Sequence, residues 1–297
     1  MASGQTLGFI GCGNMGGAVL NGLLNAAFPT NTDTEKPPKP PISHIIACTK
    51  TLASANDLRS TLSQHHKDVV KVVSNRNVQT MQESDIIILA CKPYMASTVL
   101  REEGVRAALS GKLVISMLGG QSASTLSNLI NRCPNPTSAS PPAHVIVAVP
   151  NMAAAFGQSM TIIEMPTVTV PSELAEMADW VFRQVGAVKY LGTEQVGLAT
   201  VLVGATMATL TIPIEGLLDG CVAEGFRRSD AMELVLQGVK GLSAVLGSGQ
   251  HPAVVRESIS SPAGCTIQTL LSLEKAGTRS DFAEAIVRGN THLREKM

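Results

Sequence analysis

The chain has 297 residues, enough for one or two domains with a buried core. Its 23 basic residues balance 23 acidic ones, and 44% of it is apolar against 15% charged. That balance excludes a disordered chain and leaves no basic footprint for a nucleic acid.

Short apolar runs at residues 6–10, 42–48, 69–73, 85–91, 112–117 and 144–149 predict strands. Helical patterns stand between them at 15–27, 52–65, 78–84, 95–109 and 123–131. Strict alternation implies crossover connections and a mainly parallel sheet covered on both faces, an α/β class. Proline-rich stretches at 28–41 and 133–142 predict surface loops, and His65 and His66 lie in a polar, solvated stretch. From Gly192 onward strand signals stop, and helices are predicted at 195–224, 229–246, 252–258, 262–277 and 281–296. The expected division is a Rossmann-like dinucleotide-binding domain over 1–191 and an all-helical domain over 192–297.

Residues 195–214 carry no charge and are just long enough to span a bilayer. Their Gly, Ala and Thr content, with Glu194 and Glu215 closing the ends, favours instead a helix buried at a domain or subunit interface. A homodimer with interleaved helices follows, and no membrane partner. The N-terminus has no basic segment and reads against a signal peptide. The six cysteines form no C-x-x-C pair and no zinc-type spacing appears. Reduced thiols in a cytoplasmic protein without a metal site are expected.

Residues 8–17, G-F-I-G-C-G-N-M-G-G, place G-x-G-x-x-G directly after a strand and before an amphipathic helix. Gly11 permits a tight turn, Gly13 lets backbone approach a pyrophosphate, and Gly16 allows close helix–strand packing. Asn14 and Met15 open the helix, whose free N–H groups and dipole favour phosphate. The competing interpretation is a structural tight turn. The second strand ends in Thr49-Lys50 with no carboxylate until Asp57, so a hydroxyl and an ammonium are offered to a 2′-phosphate. NADPH is therefore expected over NADH, unless Lys50 is a solvated loop residue. Cys91, Lys92 and Pro93 follow the fourth strand and Asn77 the third, which places them beside a dinucleotide.

Residues 256–267, R-E-S-I-S-S-P-A-G-C-T-I, predict a helix start with Ser261 as N-cap and Pro262 as first helical residue. Such a start is either a plain helix N-terminus or a carboxylate site with the Thr266 hydroxyl nearby. With the glycine loop, Leu89–Pro93 (L-A-C-K-P), Pro150-Asn151, this stretch and the closing helix 270–297, nearly the whole chain resembles the pyrroline-5-carboxylate reductase family. The resemblance implies reduction of the cyclic imine pyrroline-5-carboxylate to proline, an N-terminal Rossmann-like domain, and a helical domain that forms dimers and higher homo-oligomers. It implies that Ser261, Gly264 and Cys265 hold the substrate carboxylate, that Thr266 faces the imine nitrogen as the catalytic residue, and that Asn151 joins the cofactor residues.

The family pattern is not kept everywhere. An arginine is implied at Val147 and a methionine at Val149, the first glycine of S-P-G-G is Ala263, and residues 203–209 replace S-G-S-G-P-A-Y. If position 263 needs positive φ, alanine there costs on the order of 1 kcal/mol. All these changes fall on the substrate side. They leave open a related imine, an alkylated pyrroline or a piperideine carboxylate, or a dinucleotide-binding sensor without turnover. A β-hydroxyacid dehydrogenase ranks last, since only Met117-Leu118-Gly119-Gly120 follows the fifth strand.

Overall fold

The computed structural model describes residues 4–29, 40–131, 141–166 and 170–296. The predicted loops at 28–41 and 133–142 lie mostly outside these residues. Chain order runs β1 (Gln5–Ile10), α1 (Asn14–Ala27), β2 (Ile42–Thr49), α2 (Leu52–Thr61), α3 (Gln64–Lys67), β3 (Val70–Ser74) and α4 (Asn77–Glu83). It continues through β4 (Ile86–Leu89), α5 (Ala96–Leu100), α6 (Val105–Leu109), β5 (Leu113–Ser116), α7 (Ala123–Asn131) and β6 (His144–Val149). Then come β7 (Ser159–Glu164), α8 (Ser172–Arg183) and β8 (Gly186–Leu191).

These strands form one eight-stranded sheet in the order β3-β2-β1-β4-β5-β6-β7-β8. Neighbours from β3 to β6 are parallel, in the doubly-wound 3-2-1-4-5-6 order that binds dinucleotides at its β1/β4 switch point. β7 pairs antiparallel with β6, and β8 parallel with β7. Side chains alternate between two cores. Leu7, Phe9, Ile86, Ile88 and Ile115 pack under α1 and α8, while Ile10, Ile87, Leu89 and Val114 pack against α5, α6 and α7. Burial on both faces is why these strands read as unbroken apolar runs.

The departures from expectation have local causes. The helix expected over 95–109 is split into α5 and α6 by Gly104 at φ 89°. The one expected over 52–65 stops at Thr61, and Ser63 caps the short α3 by accepting from His66 N–H. His66 is not solvated: it is buried, with Nε2 at 3.1 Å from the Phe28 carbonyl. β7, α8 and β8 have no counterpart among the predicted elements. Buried Ser159, Thr161 and Glu164 interrupt the apolar signal of β7, and β8 is a half-exposed edge strand.

By compactness the chain forms one unit up to Val203 plus the last residues from Leu293, and a second unit from Gly204 to His292. The boundary falls inside α9 (Thr193–Ala223), which is followed by α10 (Arg228–Gly247), α11 (Pro252–Ser258), α12 (Cys265–Lys275) and α13 (Thr278–Lys296). Among the described residues α9 is the one helix long and apolar enough to cross a membrane. Its expected burial is not found within the single chain, where only Leu218 of the helix is buried. In the second unit Leu218, Ala231 and Val255 are the buried side chains, while Met207, Leu210, Leu217, Leu234 and Leu242 stand exposed.

Candidate active site

The carboxyl ends of the first four strands meet along one edge of the sheet. Gly11 and Cys12 N–H groups both donate to the Cys48 carbonyl, Asn75 N–H donates to Thr49, and Ala90 N–H donates to Ile10. Gly11 adopts φ 88°, and a Cβ there would lie 2.7 Å from the backbone of Cys91. Only glycine fits both demands. Gly16 is buried, and its added Cβ would touch Ala90 Cβ at 3.1 Å, so α1 packs directly on the end of β4. At Gly13 and Gly17 a Cβ would meet nothing within 4 Å. Gly13 is the N-cap of α1, with no side-chain cap and no acid in the first turn, and Asn14 beside it is exposed. An open helix N-terminus behind a tight glycine turn fits a pyrophosphate. Met15 is half-buried against the core, and burial, with a lesser contribution from Cys48, pushes the Cys12 thiol up to about 12.

At the carboxyl end of β2 the Thr49 hydroxyl expected to meet a 2′-phosphate is not offered to solvent. Thr49 is only 3% exposed, and its hydroxyl donates to the Thr51 carbonyl at 2.9 Å, with Val73 O at 3.4 Å. Pairing of β2 between β1 and β3 turns it inward, so it does not present its hydroxyl to solvent. Lys50 is exposed beside it and has no acidic partner among the described residues. Two further hydroxyls, Thr51 and Ser54, follow Lys50 at the start of α2. Thr51 caps α2, accepting from Ser54 N–H at 3.2 Å, and its hydroxyl donates to Ser54 Oγ at 3.0 Å. The T-L-A-S spacing was the available signal. Asn77 opens α4 and accepts from Cys48 Sγ at 3.5 Å. Cys91 is half-buried with its thiol pushed up by burial, and exposed Lys92 and Pro93 lead into a 3-10 turn.

Asn151 lies just past β6. Its side chain accepts from Ala153 N–H at 3.1 Å and donates to the Val203 carbonyl at 3.5 Å, so its amide is engaged within the first unit.

The substrate candidates belong to the second unit. The chain turns between α11 and α12 through Ala263 at φ 58°, and Gly264 N–H donates to the Ser261 carbonyl at 3.1 Å. α12 therefore starts at Cys265 with Gly264 as N-cap, not at Pro262 with Ser261 as cap. The left-handed residue ends the turn before a helix can continue back to Pro262. A Cβ on Gly264 would lie 2.5 Å from Ser261 Oγ, which makes the turn tight. α12 has no side-chain cap and no acid in its first turn. Its N–H groups, with the half-buried Thr266 one residue in, form the type of terminus that takes a carboxylate.

A family model described as pyrroline-5-carboxylate reductase dimerisation matches residues 193–296, and one described as NADP oxidoreductase, coenzyme F420-dependent, matches residues 6–120. Pyrroline-5-carboxylate reductase of Lophium arboricola is 33% identical over 95% of this chain and 90% of its own length. That of Neurospora crassa is 32% identical over 96% and 91%. A solved structure of Plasmodium falciparum pyrroline carboxylate reductase with NADP bound is 25% identical, with TM-score 0.78, covering 98% of this chain and 97% of that one. With identity above 30% along nearly the whole length, this chain belongs to the pyrroline-5-carboxylate reductase family.

Proposed function

We propose that the protein reduces pyrroline-5-carboxylate to proline, with NADPH as hydride donor and NADH as the weaker alternative. The observation that carries this is the presence, in one family member, of two uncapped helix N-termini: α1 behind the glycine turn and α12 behind the Ala263 turn. When bound, NADPH supplies the hydride that the imine carbon accepts. Gly11, Gly13 and Gly16 shape the pyrophosphate cradle, with Asn14 and Met15 at the helix start and Cys91, Lys92 and Pro93 along the β4 end. Lys50 contributes the ammonium for the 2′-phosphate, with the exposed Thr51 and Ser54 hydroxyls beside it in place of the inward-turned Thr49 hydroxyl. Ser261, Gly264 and Cys265 hold the substrate carboxylate through the backbone, and the Thr266 hydroxyl orients the imine nitrogen, to which water delivers the proton. Positioning of this sort lowers a barrier by several kcal/mol, up to about 7–11, without an acid–base pair.

A homodimer formed through α9 and α10 accounts for their exposed apolar residues, and the free cysteines suit a cytoplasmic setting. A second imine, larger in ring or substituent, is favoured by one observation: the departure at Ala263 shapes the turn that opens α12. The test is NADPH consumption with pyrroline-5-carboxylate beside a piperideine carboxylate, with NADPH binding measured separately. Efficient turnover of the five-membered ring is expected. Turnover of only the larger ring moves the assignment to that substrate, and NADPH binding with neither turned over overturns the reductase assignment.

A further inference from the structure

Glu164 ends β7 and is 4% exposed, the most deeply buried carboxylate that the described residues contain. Its Oε2 accepts the Ala123 N–H at 3.1 Å and its Oε1 accepts the Thr193 hydroxyl at 2.8 Å. Those donors open α7 and α9, so one carboxylate faces two positive helix ends. Both carboxyl oxygens are thus satisfied despite their burial. Ala148 pairs with Ile163 and Val149 with Ile162, so one step further in that register Val147 stands across from Glu164 on the same sheet face. The position where the family pattern implies a cation is apolar here, and its cross-strand neighbour is an acid. A small cavity of about 40 Å³ is lined by Glu164, Val147 and Val149 together with Gln121, Ser122 and Thr200. The buried Thr200 hydroxyl has no hydrogen-bond partner among the described residues, and Thr200 Cγ2 lies 3.5 Å from where a Cβ on Gly119 would sit.

The backbone held this way is the Ala123 amide that opens α7, at the end of the loop after β5 from Leu118 to Ser122. Its own bonds are short-range: Leu118 N–H to Ser116 Oγ at 3.2 Å, and Thr125 N–H to Ser122 Oγ at 3.2 Å. Glu164 ties it to a distant strand. In a 3-2-1-4-5-6 sheet, β1 to β3 carry one mononucleotide and β4 to β6 the other. The glycine turn and Lys50 lie on the first half, which leaves the β5 loop beside the nicotinamide half.

We propose that Glu164 is a positioning residue that sets the Leu118–Ser122 loop and, through it, the nicotinamide half of the cofactor. This rests on the dinucleotide assignment made above, but it does not require that any imine be turned over. The experiment compares two ligands, NADPH and 2′-phospho-ADP-ribose, which keeps both riboses and lacks the nicotinamide ring. Both are titrated by calorimetry into wild type, Glu164→Gln and Thr193→Val. Glu164→Gln should weaken NADPH about tenfold or more and leave 2′-phospho-ADP-ribose within about twofold. Thr193→Val, which removes one donor and keeps the carboxylate, should move NADPH in the same direction by less. Equal weakening of both ligands, or of neither, overturns the proposal, because a general loss of structure does not discriminate between them. Should Glu164→Gln fail to fold, the Thr193→Val comparison decides alone. Failure of the wild type to bind either ligand would refute the dinucleotide site itself, a separate outcome.

Discussion

The two uncapped helix N-termini invite comparison. Each is entered through a residue with positive φ, Gly11 at 88° ahead of α1 and Ala263 at 58° ahead of α12. At Gly11 the conformation is free of side-chain strain and the surrounding backbone leaves room for no other residue. At Ala263 an L side chain occupies the left-handed region, which costs on the order of 1 kcal/mol. The supports differ as well. α1 buries eight of its residues in the sheet's core, whereas α12 buries none within the chain. The phosphate end is thus fixed by packing that tolerates little change. The start of α12 is held by turns alone within the chain, and one of the family departures, Ala263, is the residue that makes its turn.

The comparison can be broken most sharply at the cofactor side. Lys50→Asp should weaken NADPH by about 30-fold or more, the worth of a charge-assisted bond to phosphate, and leave NADH nearly unchanged. Equal losses for both, read by fluorescence titration, would take Lys50 out of the site. On the substrate side Thr266→Ala should lower kcat/KM for the imine by about tenfold, on the order of 1.4 kcal/mol, with NADPH affinity unaltered. An unchanged rate would remove Thr266 from the reaction. The smallest effect is expected at the strained turn: Ala263→Gly should raise stability by up to about 1 kcal/mol in chemical denaturation. If that substitution destabilises the protein, alanine is not strained there and the contrast with Gly11 is lost.

Legibility in the sequence follows burial. β1, β2, β4, β5 and β6 are covered on both faces, so their apolar runs announce them, and the glycine turn shows in the G-x-G-x-x-G spacing itself. β7 did not announce itself because it carries buried polar side chains, whose partners are distant in sequence. Glu164 meets Ala123 and Thr193, respectively 41 and 29 residues away, and a glutamate at a strand end reads locally as solvated. Thr49 was legible as a position at the end of β2 but not as a direction, since its inward turn depends on the carbonyl of Val73 in the next strand. The start of α12 was misread because Ser-Pro is a strong helix opening, and nothing local to it reveals the left-handed Ala263.

The sparse interior of the second unit bears on how the chain folds. With Leu218, Ala231 and Val255 as its buried side chains, the unit from Gly204 to His292 gains little from burial to offset the entropy of ordering its helices. Assembly should then be part of folding, and the late phase of refolding should be bimolecular. Stopped-flow refolding at rising protein concentration should show that phase accelerating, with the sheet unit forming first at a rate independent of concentration. A single phase insensitive to concentration would mean that these helices are stable alone. If the bimolecular phase is found, dilution becomes a form of regulation: at low abundance the chain holds a finished nucleotide fold and an unfinished substrate site.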